Sequence, residues 1–203
     1  MSEVSRKPVP RTFRLSPLPE MAPLAEGRSV YTLPIVGQPL YSHIVELAAR
    51  MDGAAPAVIV DDPALLSDQE AMADLGKLVR LLTKTEQQSV EPDAAGLIFG
   101  DDSRIEFRHP WDLLEASERV LGEMSPGISE RAVIEPYVEI TGNVRVEAEA
   151  RILNGARIKG NVYIGPGCTI GNGAMIRGDT SLAAGCIVGF SSEVKNSLLL
   201  ERC

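Results

Sequence analysis

The chain has 203 residues, 44% hydrophobic and 24% charged, enough for one sizeable domain or two small ones and unlike a disordered polyelectrolyte. A formal charge of −8 argues against a nucleic-acid backbone as the main partner, because phosphate binding needs a cationic surface. The longest apolar run, AAPAVIV at 54–60, is too short for a bilayer, and MSEVSRKPVPRTFRLSPLPEM at the start has no apolar signal core; with three cysteines and no CxxC pair, a cytoplasmic, non-membrane protein is expected, without a zinc or disulfide framework.

Residues 1–27 are rich in proline and charge, which predicts an extended arm. A small α/β unit is expected over 28–126. Pro39 precedes a helix at 40–51, AVIV at 57–60 is a short buried strand, and Met72, Leu75, Leu78 and Leu82 give a helical spacing over 68–84. LIF at 97–99 and RIEFR at 104–108 read as two strands around the turn at Asp101-Asp102. HPWDLLEASERVLGEM, from His109, predicts a helix with proline in its first turn, ending at Pro126-Gly127. Within this unit Asp61 and Asp62 are acceptable magnesium ligands by chemistry, but Asp62 before Pro63 is an ordinary helix start, and no metal site is assigned. Trp111 is expected to pack as an apolar anchor where the unit meets the C-terminal part of the chain.

From Ile128 the sequence repeats. Every sixth residue is a branched aliphatic, from Ile128, Ile134, Ile140 and Val146 without a gap through Val188 and Val194 to Leu200. Four residues after many of these stands a small one, as at Ala150, Ala156, Cys168, Ala174, Thr180, Cys186 and Ser192. A period of six matches neither a helix nor simple strand alternation; it is the hexapeptide pattern of a β-helix, with three short strands and three corners in each triangular coil. The corners repeat independently at 18 residues: Gly142, Gly160, Gly178 and Asn196 form one column, with Asn143, Asn161 and Asp179 next to the first three. Asn154-Gly155 with Asn172-Gly173 make a second, and Gly167 with Gly185 a third. About four coils are expected over 127–203. Cys168 and Cys186 fall one coil apart facing inward, where the spacing allows a disulfide but small buried thiols fit as well; the reduced form is expected. Nothing after Leu200 caps the last coil, so either a partner covers that edge or the chain shown is part of a longer one.

Outward positions carry the chemistry. Lys159, Arg177 and Lys195 sit at 18-residue intervals beside the inward Ile158, Ile176 and Val194, which predicts a vertical ladder of cations about 5 Å apart. Like charges stacked this way repel, and folding a prism does not call for them. The plain reading is a solvated face relieved by Glu193 and Glu139. The functional reading is an anion site in which arginine gives a planar fork and lysine a point charge for a phosphate; it is favoured for Arg177 and Lys195, and the plain one for Lys159.

The stretch IRGDTSLAAGCIVGFSSEVKNS, 176–197, resembles the acetyltransferase half of the bifunctional glucosamine-1-phosphate N-acetyltransferase and N-acetylglucosamine-1-phosphate uridyltransferase family, and related sugar-phosphate nucleotidyltransferases with left-handed β-helix tails. The distinctive piece is GFSSEVKNS at 189–197, preceded one coil earlier by an arginine. The resemblance implies a left-handed β-helix, a sugar phosphate or nucleotide sugar held by Arg177 and Lys195, a homo-oligomer, usually a trimer, and acetyl-CoA as the acyl donor in sites between subunits. It also implies a catalytic histidine a few residues beyond the EVK motif. The sequence shown has histidines only at 43 and 109, so no catalytic residue is assigned.

LPIVGQPLYSHIVELA at 33–48 and HPWDLLEASERVL at 109–121 resemble flanks of the nucleotidyltransferase domain of the same enzymes. The phosphate-cradling loop expected between 14 and 30 has one glycine, Gly27, and Val30 where the family has lysine. Nucleotidyl transfer is therefore not expected. Two readings stay open: a sugar-phosphate transferase relative, and a non-catalytic module that keeps the fold for assembly or regulation.

Overall fold

The computed structural model describes residues 12–18, 25, 28–52, 56–81, 93–94, 96–98 and 104–203. Its contacts divide into two compact units: the described residues up to Thr32 with Pro39–Pro110, and Leu33–Gln38 with Trp111–Cys203. The second unit thus takes in a short hairpin and a helix that the sequence division at 126/127 leaves in front of it.

The front part of the chain runs β1 (Thr12–Leu15), β2 (Pro34–Ile35), β3 (Gln38–Pro39), α1 (Leu40–Asp52), β4 (Ala57–Val60), α2 (Pro63–Ser67), α3 (Gln69–Leu78), β5 (Arg80–Leu81), β6 (Asp93–Ala94), β7 (Gly96–Ile98), β8 (Arg104–Glu106) and α4 (Pro110–Glu123). In the first unit a parallel sheet has the order β5-β4-β1-β6, with Thr12 to Leu15 in register with Ala57 to Val60. The segment expected to be all arm therefore supplies an inner strand. TFRL alternates, and Phe13 and Leu15 bury their side chains completely or nearly so while their neighbours are half-buried. Helix α3 ends at Leu78, short of the predicted residue 84, because the chain turns into β5 at Arg80. β7 and β8 pair antiparallel as the pattern predicts; the turn at 101–102 and Leu82 lie outside the described residues.

Asp62 caps α2 by accepting from Ala64 N at 3.0 Å, and it also accepts from Ser29 Oγ at 2.6 Å. It is 6% exposed, so both bonds offset the cost of burying a carboxylate. Asp68 caps α3 in the same way through Ala71 N. Beside this cluster Tyr31 donates to Ser16 O at 2.9 Å, and burial, then the nearby Asp62 charge, push its pKa up.

In the second unit three parallel sheets form the walls of a β-solenoid of about four coils. One wall is β9 (Gly127–Ile128), β12 (Val144–Val146), β15 (Val162–Ile164), β18 (Thr180–Leu182) and β21 (Leu198–Leu199). The second is β10 (Val133–Ile134), β13 (Arg151–Ile152), β16 (Thr169–Ile170) and β19 (Ile187–Val188); the third is β11 (Glu139–Thr141), β14 (Arg157–Lys159), β17 (Met175–Arg177) and β20 (Glu193–Lys195). The aliphatic series is buried from Val146 to Val188, whereas Ile128 and Ile134 on the first coil are 51% and 38% exposed. Ile152, Ile158, Ile164, Ile170, Ile176 and Leu182 are at most 1% exposed, and the small column of Ala150, Ala156, Cys168, Ala174 and Cys186 fills the space beside them. Cys168 and Cys186 are free thiols donating to Ala183 O and Leu200 O, each at 3.0 Å, and burial pushes the Cys168 pKa up to about 11.

Two details depart from the sequence pattern. The last coil is one residue shorter than the others: β15 and β18 pair Ile164 with Leu182, but β18 and β21 pair Leu182 with Leu199. The inward aliphatic that ends the series is therefore Leu199, not Leu200. The corner after Lys195 omits one residue relative to Gly178-Asp179. Second, Trp111 is 63% exposed and not a buried anchor.

The corner column explains its glycines by close stacking. Gly160 has φ of +108°, and a Cβ there would lie 2.8 Å from Gly178 O in the next coil. The β2–β3 hairpin turns through Val36 and Gly37, both at positive φ as a two-residue type I′ turn requires. A Cβ on Gly37 would come within 2.6 Å of Tyr163 Cζ, so this turn lies on the outer face of β15. That cover explains why Tyr163, an outward residue, is 5% exposed with a pKa pushed up to about 12, chiefly by burial.

Candidate functional site

The third wall carries the candidate site. On each strand an inward aliphatic, Ile158, Ile176 or Val194, is flanked by two outward residues, because side chains alternate across a strand. The strands pair in register, Lys159 with Arg177 and Arg177 with Lys195, so the three cations form the expected vertical column. The parallel column beside it contains Glu139, Arg157, Met175 and Glu193.

The acids in that second column set the electrostatics. Arg177 Nε donates to Glu193 Oε1 on the coil above, a diagonal contact between the two columns. Arg157 Nε is 3.4 Å from Glu139 Oε2 on the neighbouring coil. Side chains of Arg177 and Glu193 are 41% and 48% exposed, so their attraction is largely screened by water. Glu193 thus occupies part of the arginine fork, while Lys195 remains exposed one coil above Arg177. Their strands lie about 5 Å apart, so the column can offer an anion one guanidinium edge and one ammonium from neighbouring coils. No cluster of three or more metal-ligating side chains occurs among the described residues.

Residues 161–196 match the family described as bacterial transferase hexapeptide (six repeats). The match includes Arg177 and ends one residue after Lys195, so it covers the upper part of the cationic column. It agrees with the left-handed hexapeptide coil seen in β15 to β20. No curated protein matches the chain. No helix of the described residues is long and apolar enough to cross a membrane.

Sequence reasoning missed the second feature of this region, a cavity of 260 Å³ between α4 and the corner that follows β17 and β20. Helix α4 runs along the corner column. Near its C-terminal end Asn143 Nδ2 donates to Met124 O at 2.8 Å and to Leu121 O at 3.0 Å, the second of which also accepts from Met124 N at 3.3 Å. Two coils further on, Leu114 and Ser117 line the cavity with Asp179 and Asn196. Seven helical residues from 121 back to 114 rise about 10 Å, and two coils rise about the same, so helix and stack keep step. The available signal was the column Asn143, Asn161, Asp179: these polar residues beside a glycine corner are bonded to something besides their own turn.

Proposed function

We propose that the wall carrying Arg177 and Lys195 binds the phosphate of an anionic sugar, and that the chain is a transferase-class relative of the hexapeptide acyltransferases. The observation behind this reading is the in-register stacking of Arg177 on Lys195 within the matched hexapeptide segment. Phosphate would displace Glu193 from Arg177, exchanging a screened carboxylate for a dianion held by both cations. The sugar ring would then extend over Met175 and the neighbouring outward residues of β17 and β20.

Acyl transfer also needs a base and a donor. Residues 127–203 contain no histidine, so an imidazole base would come from outside this segment. Acetyl-CoA is the donor that the resemblance implies, in a site between subunits of a homotrimer. The cavity beside α4 does not fit it, because carboxylates at Glu115, Glu118 and Asp179 repel its phosphates; no step is derived through it. The front unit, with a parallel sheet in the order β5-β4-β1-β6, is compatible with a shrunken nucleotidyltransferase-like unit whose crevice lies beyond the carboxyl ends of its strands.

Calorimetry with glucosamine-1-phosphate tests the reading. Binding by the unaltered protein and its loss in Arg177→Ala and Lys195→Ala are expected; no heat from the unaltered protein overturns the anion site. A second reading is an assembly or regulatory module without chemistry. A protein that forms a homo-oligomer yet shows neither sugar-phosphate binding nor acetyl transfer would favour it.

A further inference from the structure

The shortened last coil changes which residues stack. An unbroken step of 18 residues from Cys186 would pass over Cys203; the shortened corner lands on it. The backbone ladder fixes this register. Arg151 N donates to Cys168 O at 2.8 Å, Thr169 N to Cys186 O at 2.9 Å and Ile187 N to Cys203 O at 2.7 Å, so the three cysteines hold one position in successive coils. Two other contacts carry the same shift. Cys186 Sγ donates to Leu200 O as Cys168 Sγ does to Ala183 O, each at 3.0 Å. Arg202, at φ of +58°, takes the corner place that Gly185 holds at +72° one coil below, with its Cγ 3.3 Å from where a Cβ on Gly185 would lie.

The three thiols differ in access. Cys168 and Cys186 are free and buried, whereas Cys203 is free and exposed. Burial pushes the Cys186 pKa up, and a charge on Cys203 adds to the rise, so these two sulfurs lie near enough to sense each other. Residues stacked on neighbouring coils have Cα atoms about 4.8 Å apart, inside the roughly 4.4–6.8 Å that disulfides span. Their Cβ atoms must still close by about 1 Å for the sulfurs to bond. Cys168 and Cys186 are both completely buried in the packed stack, where such a shift is resisted on every side. Cys203 is exposed and has room to lean towards its neighbour.

We propose that Cys186 and Cys203 are a reversible disulfide site that ties the shortened last coil to the coil beneath it. The oxidant is a low-molecular-weight disulfide. The Cys203 thiolate, which such a reagent can reach, attacks one of its sulfurs and expels a first small thiolate, leaving a mixed disulfide on Cys203. Cys186 then gives up its proton and attacks the Cys203 sulfur, expelling the second small thiolate. Two protein thiols have lost two electrons and two protons, and the reagent has gained them as two small thiols. A dithiol reverses both exchanges. Lys195 lies within the loop that the bond closes, so oxidation holds the coil that carries it.

The test is to incubate the folded full chain with glutathione disulfide and then count free thiols in denaturant. The count should fall from three to one, peptide mapping should find Cys186 joined to Cys203, and dithiothreitol should restore all three. Cys168→Ala should still form the bridge. Cys186→Ala should stop at a mixed disulfide on Cys203; alanine suits that buried place, since Ala150, Ala156 and Ala174 fill the same inward series. Cys203→Ala, a change at an exposed position, keeps the test open if the buried variant fails to fold, and it should lose neither remaining thiol. Glutathione retained on Cys203 of the unaltered protein, a bridge between Cys168 and Cys186, dimers linked through Cys203, or an unchanged count of three would each overturn the proposal.

Discussion

The solenoid and the front α/β unit build their parallel sheets by opposite means. In the solenoid each strand before the shortened last coil pairs with one 18 residues away, and the coils repeat the same inward and outward choices. In the front unit β1 pairs with β4 across 45 residues and with β6 across about twice that distance, with helices intervening and no repeat. A structure of short-range, repeated contacts shares its energy among equivalent layers; one of long-range pairings depends on a few particular residues.

The sharpest way to test that difference is to cut one layer. Ile170→Ala removes a fully buried side chain from the middle of the stack, and a cost of about 2–5 kcal/mol is expected from lost transfer and cavity. Because the layers support each other, its effect should appear in the solenoid transition, read by the fluorescence of the single tryptophan, Trp111 on α4, and leave the front unit's melting unchanged. Next comes Gly160→Ala. At φ of +108° an L-residue is strained by about 1–3 kcal/mol, and the approach to Gly178 O must also open. Denaturant melts followed by the same probe should show loss of solenoid stability; a neutral result would mean that the corners can spread without cost.

The front unit should fail at a different kind of position. Asp62→Ala removes the α2 cap and leaves the buried Ser29 hydroxyl proton without its acceptor, although Ser29 Oγ still accepts from Tyr31 N, for about 1–3 kcal/mol. Circular dichroism should register the loss while Trp111 fluorescence reports an intact solenoid. Simultaneous collapse of both signals would end the view of two separately stabilised units.

Legibility follows the same division. The 18-residue register could be read because the aliphatic series runs through every coil and each corner column recurs in at least two, although Tyr137, Glu149, Ser191 and Arg202 take the corner conformation without a glycine to mark it. The repeat also misled at one point: Leu198, Leu199 and Leu200 in succession let the pattern run on to Leu200, while the shortened corner after Lys195 moved Leu199 inward. The central position of Thr12–Leu15 was hidden for the reverse reason. Four residues amid proline and charge carry little periodic signal, and only their remote partners make them a strand. The cationic column was legible from spacing alone, but its partial neutralisation by Glu193 was not, since the diagonal reach of Arg177 depends on a rotamer. The α4 cavity needed the helix and the stack to be placed together.

Alkali offers a graded comparison of the two units. Tyr163 on the solenoid and Tyr41 in the front unit both have pKa values pushed up to about 12, first by burial, with Asp74 accepting from Tyr41 Oη at 2.9 Å. An unfolded tyrosine titrates near about 10. A folded value above the unfolded one means that the stabilisation is complete below about pH 10 and is lost as pH rises towards about 12. Tyrosinate absorbance and unfolding should therefore rise together over that window. Tyr163→Phe should reduce the alkaline loss in the solenoid signal, and Tyr41→Phe that in the front unit.

Arg177→Ala should have the smallest effect on stability, and that smallness is informative. Its partner Glu193 is about half exposed, and pairs of this kind contribute about 0–1 kcal/mol. Removing the guanidinium also relieves its repulsion with Lys159 below and Lys195 above, so the net change in melting should lie near zero. If the column were only a solvated wall, the substitution would then be silent in every measurement. If it holds a phosphate, the same variant loses glucosamine-1-phosphate binding with an unchanged melt, and Glu193→Gln moves the other way, tightening binding by freeing the fork. A large loss of stability in Arg177→Ala would instead assign the arginine to the architecture of the stack.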